Sequence, residues 1–238
     1  MKASRGLACA IFCALFAGCV SPAQPYNSRG VALFNRGQYE AARSEFLEAT
    51  AVDPVNADGF YNLGSTYHKL GDAGEAEQNY FHCLALNPDH TKANHAFVVL
   101  LLEQERTNAA YDLVQDWMAR SPGSPDPLVE MAWLERQAGK TESARQTLHQ
   151  ALAIEPRHSR ALTELASIYE GSKDSERALA LYQRALVANP SHPDLSTKVA
   201  DLRDAVPTQD TGRAIAQNNS SDRPTSQRQS RDLRYQLR

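Results

Sequence analysis

Asp53-Pro54 is the first of five residue pairs that end in proline at a constant spacing, and the others are Asn87-Pro88, Ser121-Pro122, Glu155-Pro156 and Asn189-Pro190. Each of these prolines follows the one before it by 34 residues. Proline cannot continue a helix, and it disfavours helical geometry in the residue before it. The chain is therefore predicted to end a helix at five evenly spaced places, which indicates a solenoid of helix–turn–helix units.

Alignment on these prolines divides the chain into five units, 23–56, 57–90, 91–124, 125–158 and 159–192, with the proline at position 32 of each. Position 20 is alanine throughout: Ala42, Ala76, Ala110, Ala144 and Ala178. We expect alanine there to let the second helix of a unit approach the first closely. Position 15 is Gly37, Gly71, Glu105, Gly139 and Lys173. Glycine can end the first helix at this point because it adopts a left-handed backbone conformation without steric cost.

The repeating pattern resembles the tetratricopeptide repeat family. The second unit carries it most clearly, with Phe60, Leu63-Gly64, Tyr67, Ala76, Tyr80, Cys83 and Pro88. The resemblance implies an all-α fold, a right-handed α-solenoid of five helix pairs over residues 23–192. Residues 193–206 continue the register as one more helix, which we expect to cap the open end of the array.

The third unit departs from the pattern. It has Val98 at position 8, where other units have Gly64, Ala132 or Ala166, and Trp117 at position 27, where alanine is usual. Both residues add bulk at tight helix crossings. We expect an altered helix spacing in this unit, and the alternative is that its neighbours repack around the larger side chains.

The first 18 residues have the pattern of a signal peptide, with Lys2 and Arg5 ahead of a short apolar run. Phe16-Ala17-Gly18-Cys19 then resembles the lipobox of bacterial lipoproteins, although Phe16 replaces the usual leucine. The resemblance implies lipidation of Cys19, with residues 19–22 as a tether. Since Val20 replaces the aspartate that marks inner-membrane retention, we expect anchoring at the periplasmic face of the outer membrane. The alternative is cleavage after Ala23, which would give a soluble periplasmic protein.

In the family, the first helices of the units line a concave groove, so the resemblance also predicts which positions face a partner. At these positions the middle of the array is apolar. The predicted groove residues are Tyr61, His95, Val99, Leu102, Val129 and Trp133. An exposed apolar strip is typical of protein-binding surfaces, and this one would hold a helix or an extended peptide. The alternative is that these residues pack between adjacent helices as core.

No motif for catalysis, metal binding or nucleotide binding occurs in the chain. Cys83 is the one cysteine of the repeats and is interpreted as a packing residue. The four histidines at 68, 82, 90 and 95 are interpreted as surface residues. We therefore expect no enzyme, no cofactor, no metal site, no nucleic-acid partner and no small-molecule substrate.

The two ends of the chain differ in charge. Residues 19–206 contain 17 basic and 25 acidic side chains, whereas residues 207–238 contain six arginines and three aspartates. The latter segment is rich in Gln, Asn, Ser and Thr, and is predicted to be a disordered polar tail.

Leader and repeats together resemble the tetratricopeptide lipoproteins that assist pilus and secretion-channel assembly. This architecture favours a non-catalytic scaffold or adaptor that is tethered in the bacterial cell envelope and binds a protein partner in its groove. A regulatory accessory subunit of a cell-wall enzyme is the alternative function.

Overall fold

The computed structural model describes residues 23–205, without the side chains of Pro193 and Ala205, and within this range it contains eleven α-helices and no β-strand. The helices are α1 Gln24–Asn35, α2 Tyr39–Val52, α3 Ala57–Leu70, α4 Ala73–Leu86, α5 Thr91–Glu103, α6 Thr107–Arg120, α7 Asp126–Gln137, α8 Thr141–Ile154, α9 Ser159–Gly171, α10 Ser175–Ala188 and α11 Pro193–Ala205. The predicted signal peptide, the lipidation site Cys19, the tether and the polar tail lie outside the described residues.

The eleven helices form five pairs and a closing helix. Each pair packs against the next, and α11 packs on α10, where Leu195 and Val199 are buried. The first helices of successive pairs also contact each other, α1 with α3, α3 with α5, α5 with α7 and α7 with α9. Within residues 23–205, no two second helices are in contact. The first helices therefore lie closer together and line the concave face. This arrangement confirms the predicted all-α solenoid of five helix pairs with a C-terminal capping helix.

Position 15 adopts a left-handed backbone in all five units, whatever its side chain. The φ angles of Gly37, Gly71 and Gly139 are 74°, 81° and 75°. Glu105 and Lys173 take the same conformation, with φ of 59° and 63°. The turn after the first helix thus requires this geometry, and two units adopt it without glycine and at a cost in backbone strain.

Size complementarity between positions 8 and 24 sets how closely the two helices of a unit approach. A methyl group added to Gly64 would lie 2.8 Å from the ring of Tyr80, and one added to Gly30 would lie 2.5 Å from Phe46. Real side chains do not come that close, so in the first two units the ring at position 24 requires glycine at position 8. The alanines at position 20 are all fully buried beside these contacts, in agreement with the sequence prediction.

The third unit lacks this difference in size. Valine occupies both positions, Val98 at position 8 and Val114 at position 24, and both are fully buried. Trp117 is also buried, and its indole N–H donates to Asp89 Oδ1 at 2.9 Å. The backbones of α5 and α6 approach each other less closely than in the other four pairs, as the added bulk predicts.

We predict that Gly64→Ala lowers the free energy of unfolding by about 1–3 kcal/mol, because the new methyl group overpacks against Tyr80. Helix propensity alone predicts the opposite sign, a gain of about 1 kcal/mol. Denaturant unfolding followed by circular dichroism measures the change.

The matched control is Gly74→Ala on α4, where the nearest atom to the new methyl group would be 3.9 Å away. This substitution should be neutral or stabilising. In a Tyr80→Leu background, which reproduces the Ala132–Leu148 pair of the fourth unit, the loss from Gly64→Ala should shrink. An equal loss in both backgrounds would contradict the proposed contact.

Candidate functional site

A cavity of about 400 Å³ opens on the concave face between α1, α3 and α5, and we call it the concave pocket. Its volume lies at the lower end of the range for ligand sites, roughly 300–1,000 Å³. The lining residues are Val31, Phe34, Asn35, Phe46, Tyr61, Asn62, Ser65, His68, Lys69, Tyr80, His95, Ala96 and Val99.

The lining follows from the helix period and the repeat register. Residues three or four apart share one helix face, and the first helices of three successive units contribute lining residues from positions 5, 6, 9, 12 and 13. The second helices contribute only Phe46 and Tyr80, which are buried and stand behind the small residues Gly30 and Gly64. The pocket thus has a rigid aromatic base, with a mixture of apolar and polar side chains around it.

Three of the six predicted groove residues, Tyr61, His95 and Val99, line the concave pocket. Trp133 lies next to it, edge-on to the His95 ring with 4.9 Å between centroids, and is half-buried. Leu102 is half-buried against the core of the second and third units.

Val129 was predicted to face a partner, and this prediction is wrong, because its side chain is 0% exposed. It belongs to the hydrophobic core of the fourth and fifth units, where α7 and α9 pack directly together. The alternative of core packing therefore holds for Val129, and in part for Leu102, which packs against the core and does not line the concave pocket.

The sequence prediction missed two apolar residues of the first unit. Val31 and Phe34 occupy positions 9 and 12 and line the concave pocket. The register that identified Val99 and Leu102 would have found them if it had been applied to the first unit as well. The apolar part of the concave face therefore lies nearer the N-terminus than predicted.

Hydrogen bonds fix the polar groups around His68. Its Nε2 lies 2.6 Å from Glu103 Oε2, and its Nδ1 lies 3.4 Å from the hydroxyl of Tyr80. Burial raises the pKa of Tyr80 to about 12, so this hydroxyl keeps its proton at neutral pH. His68 is therefore held in place by groups on α4 and α5.

A second polar cluster joins α5, α7 and α9 beside the pocket. Glu130 is 0% exposed, and its carboxylate lies 2.8 Å from His95 Nδ1 and 2.5 Å from Arg160 Nη2. Burial alone would raise the pKa of Glu130, but the hydrogen bond from His95 and the charge of Arg160 outweigh it and hold the pKa below its usual range. Since the anionic carboxylate accepts a hydrogen bond from His95 Nδ1–H, Nε2 is the nitrogen of His95 left for a ligand.

Glu130 was not among the predicted site residues. It occupies position 6 of the fourth unit, a position that was not assigned to the groove from the sequence, although Asn62 and Ala96 at the same position line the concave pocket. A glutamate alone at such a position gives no sequence signal, because its partners are 35 residues before it and 30 residues after it.

We predict that Glu130→Ala lowers the free energy of unfolding at pH 7 by about 1–3 kcal/mol, because two charge-assisted hydrogen bonds are lost. A depressed pKa in the folded state stabilises the protein above the unfolded pKa of about 4.3, and that contribution is lost as pH falls through the lower folded value.

The difference in the free energy of unfolding between the wild type and Glu130→Ala should therefore become smaller when unfolding is measured below about pH 4. Glu142→Ala is the control, since Glu142 forms only an exposed pair with Arg145 on its own helix. A pH-independent difference for Glu130→Ala would show that packing, and not charge, accounts for the loss.

Other candidate chemistry is sparse in this part of the chain. Cys83 is fully buried, and burial raises the pKa of its thiol to about 12, which fits a packing residue. Within residues 23–205, no three side chains of His, Cys, Asp or Glu come together as metal ligands. In the same range, no helix combines the length and hydrophobicity needed to cross a bilayer.

Three family models match the chain. One described as TPR repeat matches residues 25–71, and two described as tetratricopeptide repeat match residues 57–90 and 129–193. None of these three matches covers the third unit, whose departures from the pattern are described above.

The curated relatives are much longer than the matched region. The chain is 38% identical over 66 residues to the human protein O-mannosyl-transferase TMTC3, covering 28% of this chain and 7% of the relative. It is 27% identical over 130 residues to the TPR repeat-containing protein PA4667 of Pseudomonas aeruginosa, covering 54% of this chain and 22% of the relative. The chain thus spans less than a quarter of either relative.

Two solved structures share the fold. TTC0263, a thermophilic TPR protein of Thermus thermophilus, has 26% identity and a TM-score of 0.58, over 76% of this chain and 98% of that one. Pseudomonas aeruginosa pilF has 17% identity and a TM-score of 0.51, over 77% of this chain and 83% of that one. At 17% identity the second likeness shows the fold alone.

Proposed function

Since the chain belongs to the tetratricopeptide repeat family, we propose that it is a non-catalytic scaffold that binds a segment of a partner protein in the concave pocket. The observation that carries this proposal is the pocket itself, a cavity of about 400 Å³ with an aromatic base and a polar rim. Proteins of this family act as protein-interaction scaffolds, and convergent apolar and polar groups in a concave site are what such binding requires.

One inserted side chain does not suffice for stable binding. Burial of a single large apolar side chain contributes about 1.5–3 kcal/mol, whereas micromolar affinity needs about 8 kcal/mol. A partner segment would therefore extend along the first helices beyond the pocket. The half-buried Trp133, which touches His95, continues the surface in that direction.

We further propose that this scaffold works in the bacterial cell envelope, exported by residues 1–18 and anchored through a lipidated Cys19. The lipobox-like sequence before Cys19 supports the anchor, and the missing aspartate after it favours the outer membrane. Assistance in assembling a pilus or secretion complex is the role we favour.

We predict that a photo-crosslinking amino acid at Ser65, inside the concave pocket, captures a partner in living bacteria. The same amino acid at Glu48, on the exposed face of α2, should not capture it. In a Val99→Glu background the yield from position 65 should fall about tenfold, because a charge is then placed among apolar groups.

Val187→Glu is the matched control, since Val187 is 66% exposed on α10 and far from the pocket in sequence. If the crosslinking yield from position 65 is the same in Val99→Glu as in Val187→Glu, the pocket is not the binding site. Mass spectrometry of the adduct would separate an assembly component from a cell-wall enzyme.

The lipid anchor at Cys19 can be tested by cell fractionation. Cys19→Ser should move the protein from membrane fractions to the soluble periplasmic fraction, because the acyl chains supply the membrane affinity. Cys13→Ser, within the leader, is the control and should leave fractionation unchanged. If Cys19→Ser remains in the membrane fraction after a salt wash, the protein is not held there by lipidation.

A further inference from the structure

The concave pocket has a charge that differs from that of the repeats around it. The repeats and their flanks, residues 19–206, carry 25 acidic and 17 basic side chains. None of the residues that line the pocket is acidic, while three of them, His68, Lys69 and His95, are basic. A ligand in this pocket therefore meets only neutral and basic groups.

The three basic residues differ in how far they are already neutralised. His68 pairs with Glu103 and His95 pairs with the buried Glu130, both carboxylates outside the pocket lining. Lys69 is exposed, and no carboxylate of residues 23–205 pairs with it. Its positive charge is thus available to a ligand.

Lys69 also stands beside neutral hydrogen-bond donors. The side-chain amides of Asn35 and Asn62 line the same pocket and can donate to oxygen atoms. Phe34, Tyr61 and Val99 supply the apolar part of the lining. An anionic group and a bulky apolar group can therefore be held side by side.

We infer that the concave pocket selects partner segments in which an acidic side chain stands next to a bulky apolar one. This inference rests on the proposed function, since it names the kind of partner for the same site. The apolar side chain fills the cavity, and the carboxylate pairs with Lys69. An exposed pair of this kind adds specificity more than affinity.

The chain's own C-terminal segment has one such pair, Asp232-Leu233, but Arg231 and Arg234 flank it. Residues 207–238 carry six arginines against three aspartates, and the apolar residues near the end, Leu233, Tyr235 and Leu237, alternate with Arg234, Gln236 and Arg238. Such a sequence would place arginine beside Lys69. The occupant that the charges favour is therefore an acidic segment of another protein.

Selection of a random peptide library on the full chain tests this inference. Peptides that combine Asp or Glu with Phe, Leu, Ile or Trp should be enriched. The affinity of the best peptide is then measured by fluorescence polarisation. Lys69→Gln should weaken its binding about fivefold, and the effect should fade at high salt.

Lys92→Gln is the matched control, because Lys92 is an exposed lysine on the neighbouring α5 that does not line the pocket. It should leave the affinity within about twofold of the wild type. Enrichment of neutral or arginine-rich peptides, or equal effects of Lys69→Gln and Lys92→Gln, would overturn the charge preference.

The outcomes also separate this inference from the proposed function. Peptides that lose binding in Val99→Glu but not in Lys69→Gln would show that the pocket binds peptides without the predicted preference. Failure to enrich any peptide sensitive to Val99→Glu would count against the pocket as a peptide site altogether.

Discussion

The close approach of the two helices within each unit is the constraint on which the rest of the structure depends. Small residues at positions 8 and 20 permit it, and the ring or aliphatic side chain at position 24 fills the remaining space. Because the first helices lie closer together than the second helices, the array curves. That curvature places the position-24 rings of the first two units, Phe46 and Tyr80, at the base of the concave pocket.

The third unit marks a change in the chemistry of the concave face. Positions 8 and 24 both hold valine here, Val98 and Val114, and α5 and α6 lie less closely together than the helices of the other pairs. Towards the N-terminal units, the concave face between α1 and α5 contains the concave pocket. On the C-terminal side of α5 the face holds the ion cluster around Glu130, so a partner that crosses α5 meets two different surfaces.

His95 belongs to both surfaces, since it lines the pocket and donates to Glu130. Burying a carboxylate is costly unless charged partners compensate, and here His95 and Arg160 do so from the two neighbouring first helices. The cluster therefore fixes the relative position of α5, α7 and α9. Through His95, the geometry of the C-terminal half sets one wall of the pocket in the N-terminal half.

The sequence by itself determined the fold, because the spaced prolines and the alanines of position 20 are local signals that repeat in register. It also located Tyr61, His95 and Val99, since helix period and register place these positions on one face. Only the tertiary structure decided that Val129 is core and that Glu130 is a buried ion partner. Both outcomes depend on the distance between neighbouring helices and on contacts with residues about one repeat away, which no local pattern encodes.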